Sequence, residues 1–224
     1  MNRQRREEGK PFAACLGWIQ LPTKNVRVIP HNYSDILVTI IERHTTFIMT
    51  VGKFTHAIVS RVPKSFQNVA TVDGTCIDTE KARAQHQGLV IVLRGLGLDV
   101  LELPPDEDSP GSVFVGDCAV VVNGVALLCR PGSGSRKGDT DTVRVVMRKE
   151  VGITVEELDT GTGSPALING SDVLFTGSEI FVGLGEETNT EGALWVASSW
   201  PEYPCTPIKV SSQTANNQIL QFYL

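Results

Sequence analysis

A chain of 224 residues that is 41% hydrophobic and 20% charged has the usage of an ordinary globular protein, long enough for one large domain or two small ones with a sizeable core. A net charge of −5 argues against a nucleic-acid backbone binder, which would show a clustered basic face. The odd and scattered cysteines, Cys15, Cys76, Cys118, Cys129 and Cys205, fit reduced thiols better than a disulfide framework, and without a Cys-x-x-Cys or His/Cys cluster no zinc or other metal site is expected.

The first 52 residues show no consistent period. A charged opening is followed by segments punctuated by Pro11, Pro22 and Pro30, and then by a mixed run that can hold a strand around residues 36–41. That apolar window is cut by Glu42-Arg43-His44, far short of the roughly 20 apolar residues of a spanning helix. The basic start also holds Glu7 and Glu8 and is not followed at once by a signal-type apolar run, so the chain reads as cytoplasmic, with residues 1–52 as a poorly readable N-terminal extension.

From Phe54 the pattern sharpens. Residues 55–59 predict a strand, 64–75 a polar loop, and 77–98 a helix with Asp78 as N-cap and Gly95 and Gly97 at its C-terminal end. Residues 100–103 predict a short strand that stops at Pro104-Pro105. Two apolar runs, 119–122 and 125–129, then flank Asn123-Gly124, the strongest short-range signal for a tight hairpin. Asp106, Glu107, Asp108 and Asp117 precede this hairpin and Arg130 follows it. A hairpin brings its two ends together, and a rim of carboxylates with one guanidinium suits a small zwitterion, the acids facing its cationic group and the arginine its carboxylate. The plainer reading is a solvated acidic loop before an ordinary strand.

Residues 132–138 form a Gly/Ser/Lys/Arg loop whose spacing is not that of a phosphate loop. A helix is expected over 140–151, started by Asp139 or Asp141 and ended by Gly152, with a strand over 154–158 after it. A second hairpin is expected over 173–182, turning at Thr176-Gly177 or Gly177-Ser178. Laid over the first, Ala119 falls on Asp172, Gly124 on Gly177 and Gly132 on Gly185, so one unit of strand, hairpin partner, helix and strand is repeated. A third helix over 190–199 and a strand near 207–210 precede a divergent tail, 211–224, and the array reads as cut off there.

Within residues 53–210, Thr55-His56-Ala57-Ile58-Val59, Leu101-Glu102-Leu103-Pro104-Pro105-Asp106-Glu107, Arg130-Pro131-Gly132, and Asp172-Val173-Leu174-Phe175-Thr176-Gly177 with Phe181-Val182-Gly183-Leu184 resemble dimethylarginine dimethylaminohydrolase. The resemblance implies an α/β fold of the pentein type, a propeller of five ββαβ modules around a substrate channel, of which about the first three are read here. It also implies hydrolysis of N-methylated arginine to citrulline and methylamine or dimethylamine, through a thiouronium on a cysteine with a histidine as acid/base, without a cofactor. Control of arginine-derived nitric oxide signalling would follow.

Carried over by position, Asp106 and Asp117 are the substrate-binding carboxylates, Asp117 nearer the guanidinium, and Arg130 is one carboxylate-binding arginine; residues 65–73 resemble the flap. Four departures accompany the match. Gly116-Asp117 stands where Glu-Asp is usual and is similar to the second vertebrate isoform. Ile168-Asn169-Gly170-Ser171-Asp172-Val173 has an amide where an acid orients the catalytic histidine, and Glu191 stands where a second substrate-binding arginine is expected. No histidine follows His86, and the family's C-terminal cysteine has no counterpart, so no catalytic residue is assigned and the chain as written is expected to be inactive. His56 reads as structural, Cys118 and Cys129 as buried small thiols, and Cys205 as inert. The alternative to the enzyme is an inactive homologue that serves as a binding module. Methylated arginine is the expected small-molecule partner, nucleic acid and membrane are not, and self-association through uncovered propeller faces is expected.

Overall fold

The computed structural model describes residues 54–69, 76–132, 137–157 and 165–209, together with the backbone of four upstream strands: β1 (Ala13–Cys15), β2 (Val26–His31), β3 (Asp35–Glu42) and β4 (Thr45–Thr50). The tail 211–224, loop residues 133–136, flap residues 70–73, Leu158 and Val210 lie outside the described residues. The remaining elements are β5 (His56–Ser60), α1 (Thr79–Gly95), β6 (Asp99–Leu103), β7 (Ala119–Val122), β8 (Val125–Leu128), α2 (Lys137–Val146), β9 (Thr154–Glu156), β10 (Val173–Phe175), β11 (Ile180–Leu184), α3 (Thr190–Ser199) and β12 (Cys205–Lys209).

Three of the sheets share one plan, each with a central strand that continues through a helix into a parallel neighbour. Their orders are β1-β5-β6, β7-β8-β9 and β10-β11-β12. In the second and third, the central strand also pairs with its predecessor as an antiparallel hairpin. In the first, β1 takes that place but runs parallel to β5. The N-terminal segment supplies β1 to the first sheet, and the strand expected at 36–41 is β3, in an antiparallel sheet with β2 and β4.

The two hairpins turn differently. Asn123 and Gly124 have φ of 49° and 76°, positive at both central residues as a type I′ turn demands. In the second, Thr176 N donates to Glu179 O at 3.0 Å and Gly177 has φ of 95°, so the central pair is Gly177-Ser178 with positive φ at the first position only, the type II′ pattern. This corrects the overlay read from sequence. Ala119 pairs with Leu128 and Val173 with Val182, so Ala119 corresponds to Val173 rather than Asp172, and Asp117 to Ser171. The glycine sits second in one turn and first in the other, and aligning the glycines shifts the repeat by one residue.

Helix starts follow local chemistry. Asp78 caps α1 by accepting from Lys81 N at 3.0 Å; of its buried residues, Val90 and Leu93 pack against the first sheet and Ala82 against Val62, Phe66 and Val113. The α2 helix begins at Lys137, upstream of the expected start, because Asp139 lies inside the first turn rather than capping it; a carboxylate there meets the positive end of the helix. A π turn, Met147–Val151, prolongs α2 and closes at Gly152, with φ of 72°. Asn189 caps α3 by accepting from Gly192 N at 2.9 Å.

The β7–β8 hairpin is the middle layer between two cores. Ala119, Ala126 and Leu128 pack with Ile58, Leu103, Val143 and Met147, whereas Val120, Val122 and Leu127 pack with Ile168, Ile180, Val182, Val196 and Trp200. Alternation along each strand sends successive side chains to opposite faces. Among the described residues no helix is long and apolar enough to cross a membrane.

Candidate functional site

Each of the second and third modules enters its first strand through a 3₁₀ turn, Val115–Cys118 before β7 and Gly170–Asp172 before β10. These turns occupy the same place in the repeat, and they touch. A Cβ on Gly170 would stand 2.0 Å from Gly116 O and 3.0 Å from Ala119 O, so only glycine lets the backbones come this close. Beside this contact lies Asp117, 4% exposed, and Ser171 Oγ donates a hydrogen bond to its Oδ1. A buried carboxylate so placed interacts strongly with any cation that reaches it, because little water screens the pair.

The neighbouring acid, Asp172, is also buried and is held by Thr188 Oγ1 at 2.6 Å. Asn169, the amide where the resemblance expects an acid, accepts from Ser171 N at 2.9 Å and caps the second turn. Glu191 is exposed in the first turn of α3, where the helix's positive end favours a carboxylate. Sequence reasoning missed Ser171 as the partner of Asp117, since nothing local in the sequence joins residues in different modules.

Asp106 lies elsewhere on the second module's approach. It is exposed, its Oδ1 accepts from Asp108 N at 2.9 Å, and it lines a cavity of about 220 Å³ together with Ser60, Leu103, Ser112, Cys118 and Asp139, among others. The adjacent Glu107 carboxylate accepts from Lys64 N at 2.9 Å and Ser65 N at 2.8 Å, which ties the start of the polar loop to the Pro104-Pro105 segment. Those two N–H groups hold the Glu107 carboxyl below its ordinary range. Phe66 fixes the same loop from inside, buried with its ring centroid 6.0 Å from that of Phe114.

Arg130 is exposed, and its carbonyl accepts from Ile168 N at 2.9 Å, joining the second module to the third. The ends of the first hairpin do meet, with Cys129 N donating to Cys118 O at 2.8 Å. Of the three residues carried over as substrate-binding, however, the cavity takes in Asp106 alone; Asp117 is buried at the seam and is not among its lining, nor is Arg130.

The other titratable candidates have structural surroundings. His56 Nδ1 lies 2.8 Å from Thr55 Oγ1, and its Nε2 is 3.9 Å from Asp99. Cys118 and Cys129 are buried, and burial pushes the Cys205 thiol up, away from the reactive thiolate. Among the described residues no group of His, Cys, Asp and Glu is arranged to hold a metal ion.

No protein-family model matches the chain. It is 36% identical over 167 residues to human DDAH2, a match covering 72% of this chain and 56% of that protein. It is 32% identical over 116 residues to the dimethylarginine dimethylaminohydrolase of Pseudomonas aeruginosa, 52% of this chain and 44% of that protein. The chain thus spans about half the length of the curated relatives it matches. Its structure is similar to that of the Pseudomonas aeruginosa enzyme in complex with citrulline, with a TM-score of 0.65 and 26% identity over 71% of this chain and 62% of that one. The N-terminal domain of a cyanobacterial arginine dihydrolase shares the fold alone, with a TM-score of 0.57 at 19% identity.

Proposed function

The chain belongs to the dimethylarginine dimethylaminohydrolase family, and from that premise we propose that it binds N-methylated arginine for hydrolysis to citrulline and methylamine or dimethylamine. The observation that supports this reading is the buried Asp117 at the seam of two modules. Equivalent turns of neighbouring modules meet there, and Asp117 and Ser171 hold equivalent positions. Asp117 accepts the guanidinium in this reading, and fixing a planar cation through one carboxylate keeps its central carbon aimed in one direction. Asp106 and Arg130, which the resemblance also carries over as substrate-binding, line no common cavity with Asp117, so this reading rests on Asp117.

The bond-making groups are a separate matter. Hydrolysis needs a nucleophile that adds to the guanidinium carbon and an acid that protonates the departing amine. Asp117, the residue this reading rests on, belongs to the binding part of that chemistry. A second reading, a homologue that binds without hydrolysing, is favoured by Asn169 in its capping role and by Ser171 on Asp117.

Calorimetric titration of asymmetric dimethylarginine into the 224-residue chain tests the proposal. Binding is expected, Asp117→Ala is expected to abolish it, and Asp108→Ala is expected to change little. Equal losses in both variants would reduce the effect to diffuse acidic attraction.

A further inference from the structure

Two Asn-Gly pairs stand in the chain, Asn123-Gly124 and Asn169-Gly170, and the fold holds them differently. An asparagine before a glycine is open to attack by its own backbone, because glycine has no Cβ to shield its amide nitrogen. That nitrogen adds to the asparagine Cγ, the Cγ–Nδ2 bond breaks, and Nδ2 leaves as ammonia with the proton of the attacking amide. Solvent water then opens the five-membered succinimide. Opening at the Cγ carbonyl gives aspartate; opening at the main-chain carbonyl gives isoaspartate, in which the chain runs on through Cγ. Cyclisation requires the peptide plane between the two residues to rotate until the nitrogen faces Cγ, so whatever pins that plane sets the rate.

At Asn169-Gly170 the plane is pinned from several directions. Asn169 N donates to Thr188 Oγ1 at 3.0 Å, its carbonyl accepts from Asp172 N at 3.0 Å, and its Oδ1 accepts from Ser171 N at 2.9 Å. Gly170 is seated against the second module, where a Cβ would stand 2.0 Å from Gly116 O. Rotation there would break the contact between the modules.

Asn123-Gly124 is held by less. Asn123 is exposed, and the β7–β8 ladder closes at the pair Val122 and Val125, which leaves the Gly124 amide outside the strand register. The hold on the Asn123 side chain comes from the third module: Nδ2, the atom that must leave, donates to Tyr203 Oη. Tyr203 is half-buried, with its ring edge-on to that of Phe175 and the centroids 4.8 Å apart, so its hydroxyl is a fixed partner.

We propose that Asn123 is a site of deamidation through a succinimide, restrained by the Tyr203 hydroxyl, and that Asn169 is spared while the chain is folded. The product alters the join between the two modules. Isoaspartate lengthens a two-residue turn next to the pair Val122 and Val125, and either product replaces the Nδ2 donor facing Tyr203 by a carboxylate.

Incubation of the 224-residue chain at mildly alkaline pH in heavy-oxygen water, followed by peptide mass mapping, tests this, since each succinimide that opens takes up one labelled oxygen. In the folded chain Asn123 is expected to convert about tenfold faster than Asn169, and in concentrated urea the two rates are expected to converge. Tyr203→Phe, which keeps a ring against Phe175 and removes the hydroxyl, is expected to speed conversion of Asn123 about threefold, the worth of one exposed hydrogen bond. Asn169 is expected to keep its rate in that variant, which separates loss of the hydroxyl from general loosening of the fold. No conversion of Asn123 in the folded chain, equal rates at the two sites there, a difference that persists in urea, or a Tyr203→Phe variant that leaves Asn123 unchanged or speeds both sites alike would each overturn the proposal.

Discussion

The second and third modules share hairpin, helix and parallel strand, yet they differ where each enters its first strand. The second presents Asp117 on its 3₁₀ turn and the third presents Ser171 at the equivalent place, and the two side chains meet. Around this point the backbones are in contact through Gly170, and the side chains that fill the interior between the modules, Leu127 from one and Ile180 and Val182 from the other, are ordinary aliphatics. The difference teaches that the repeat supplies the scaffold, while breaking it at one position on each turn sets a buried carboxylate against a hydroxyl.

The comparison is broken most severely by removing what the modules share. Trp200 is 1% exposed and packs among β7–β8 residues of the second module and β11 residues of the third. Trp200→Ala is expected to cost about 4 kcal/mol in denaturant unfolding. Gly170→Ala acts on the seam alone, because its Cβ would stand 2.0 Å from a backbone oxygen that cannot swing away. A loss of about 3 kcal/mol is expected, and an unchanged melt would show that the turns do not touch as described.

Finer changes sharpen the comparison. Ser171→Ala removes a hydroxyl donor from a buried carboxylate, with an expected cost of about 2 kcal/mol. The same substitution made in Asp117→Ala is expected to cost much less, so a double-mutant cycle reads the coupling; additive losses would deny the contact.

Two pH effects, both outside the seam, are smaller and fall in separate windows. Burial lowers the pKa of His86 from its ordinary 6.5, opposed by the nearby Glu102 charge, so the unfolded chain binds the proton more readily than the folded one. Stability is therefore lost as pH falls below 6.5, and His86→Gln is expected to flatten the melting profile there. Glu107, lowered from 4.5 by the N–H groups of Lys64 and Ser65, contributes stability above that pH and loses it only as pH falls further. Glu107→Gln is expected to alter the acid limb alone, by a small amount, because the group is exposed.

What was legible in the sequence was local. Asn123-Gly124 specified its turn because two adjacent residues suffice to set positive φ, and Asp78 ahead of Thr79–Gly95 marked a helix start through one side chain and one N–H. The family was legible because its motifs are short contiguous runs. Illegible were the features that depend on distant partners: the parallel pairing of β1 with β5 and the burial of Asp117 beneath a serine of the next module. The α2 start fell between, since Asp139 is as good inside a first turn as before it.

The central claim is that Asp117 at the seam, rather than the exposed acids near the cavity, receives the guanidinium of the ligand. Amide resonances of the isotopically labelled chain, followed during addition of asymmetric dimethylarginine, test it directly. The account predicts that the largest shifts fall on Gly116, Asp117, Gly170 and Ser171, and that they vanish in Asp117→Asn. Shifts confined to Asp106, Glu107 and Asp108, and unchanged in that variant, would contradict it.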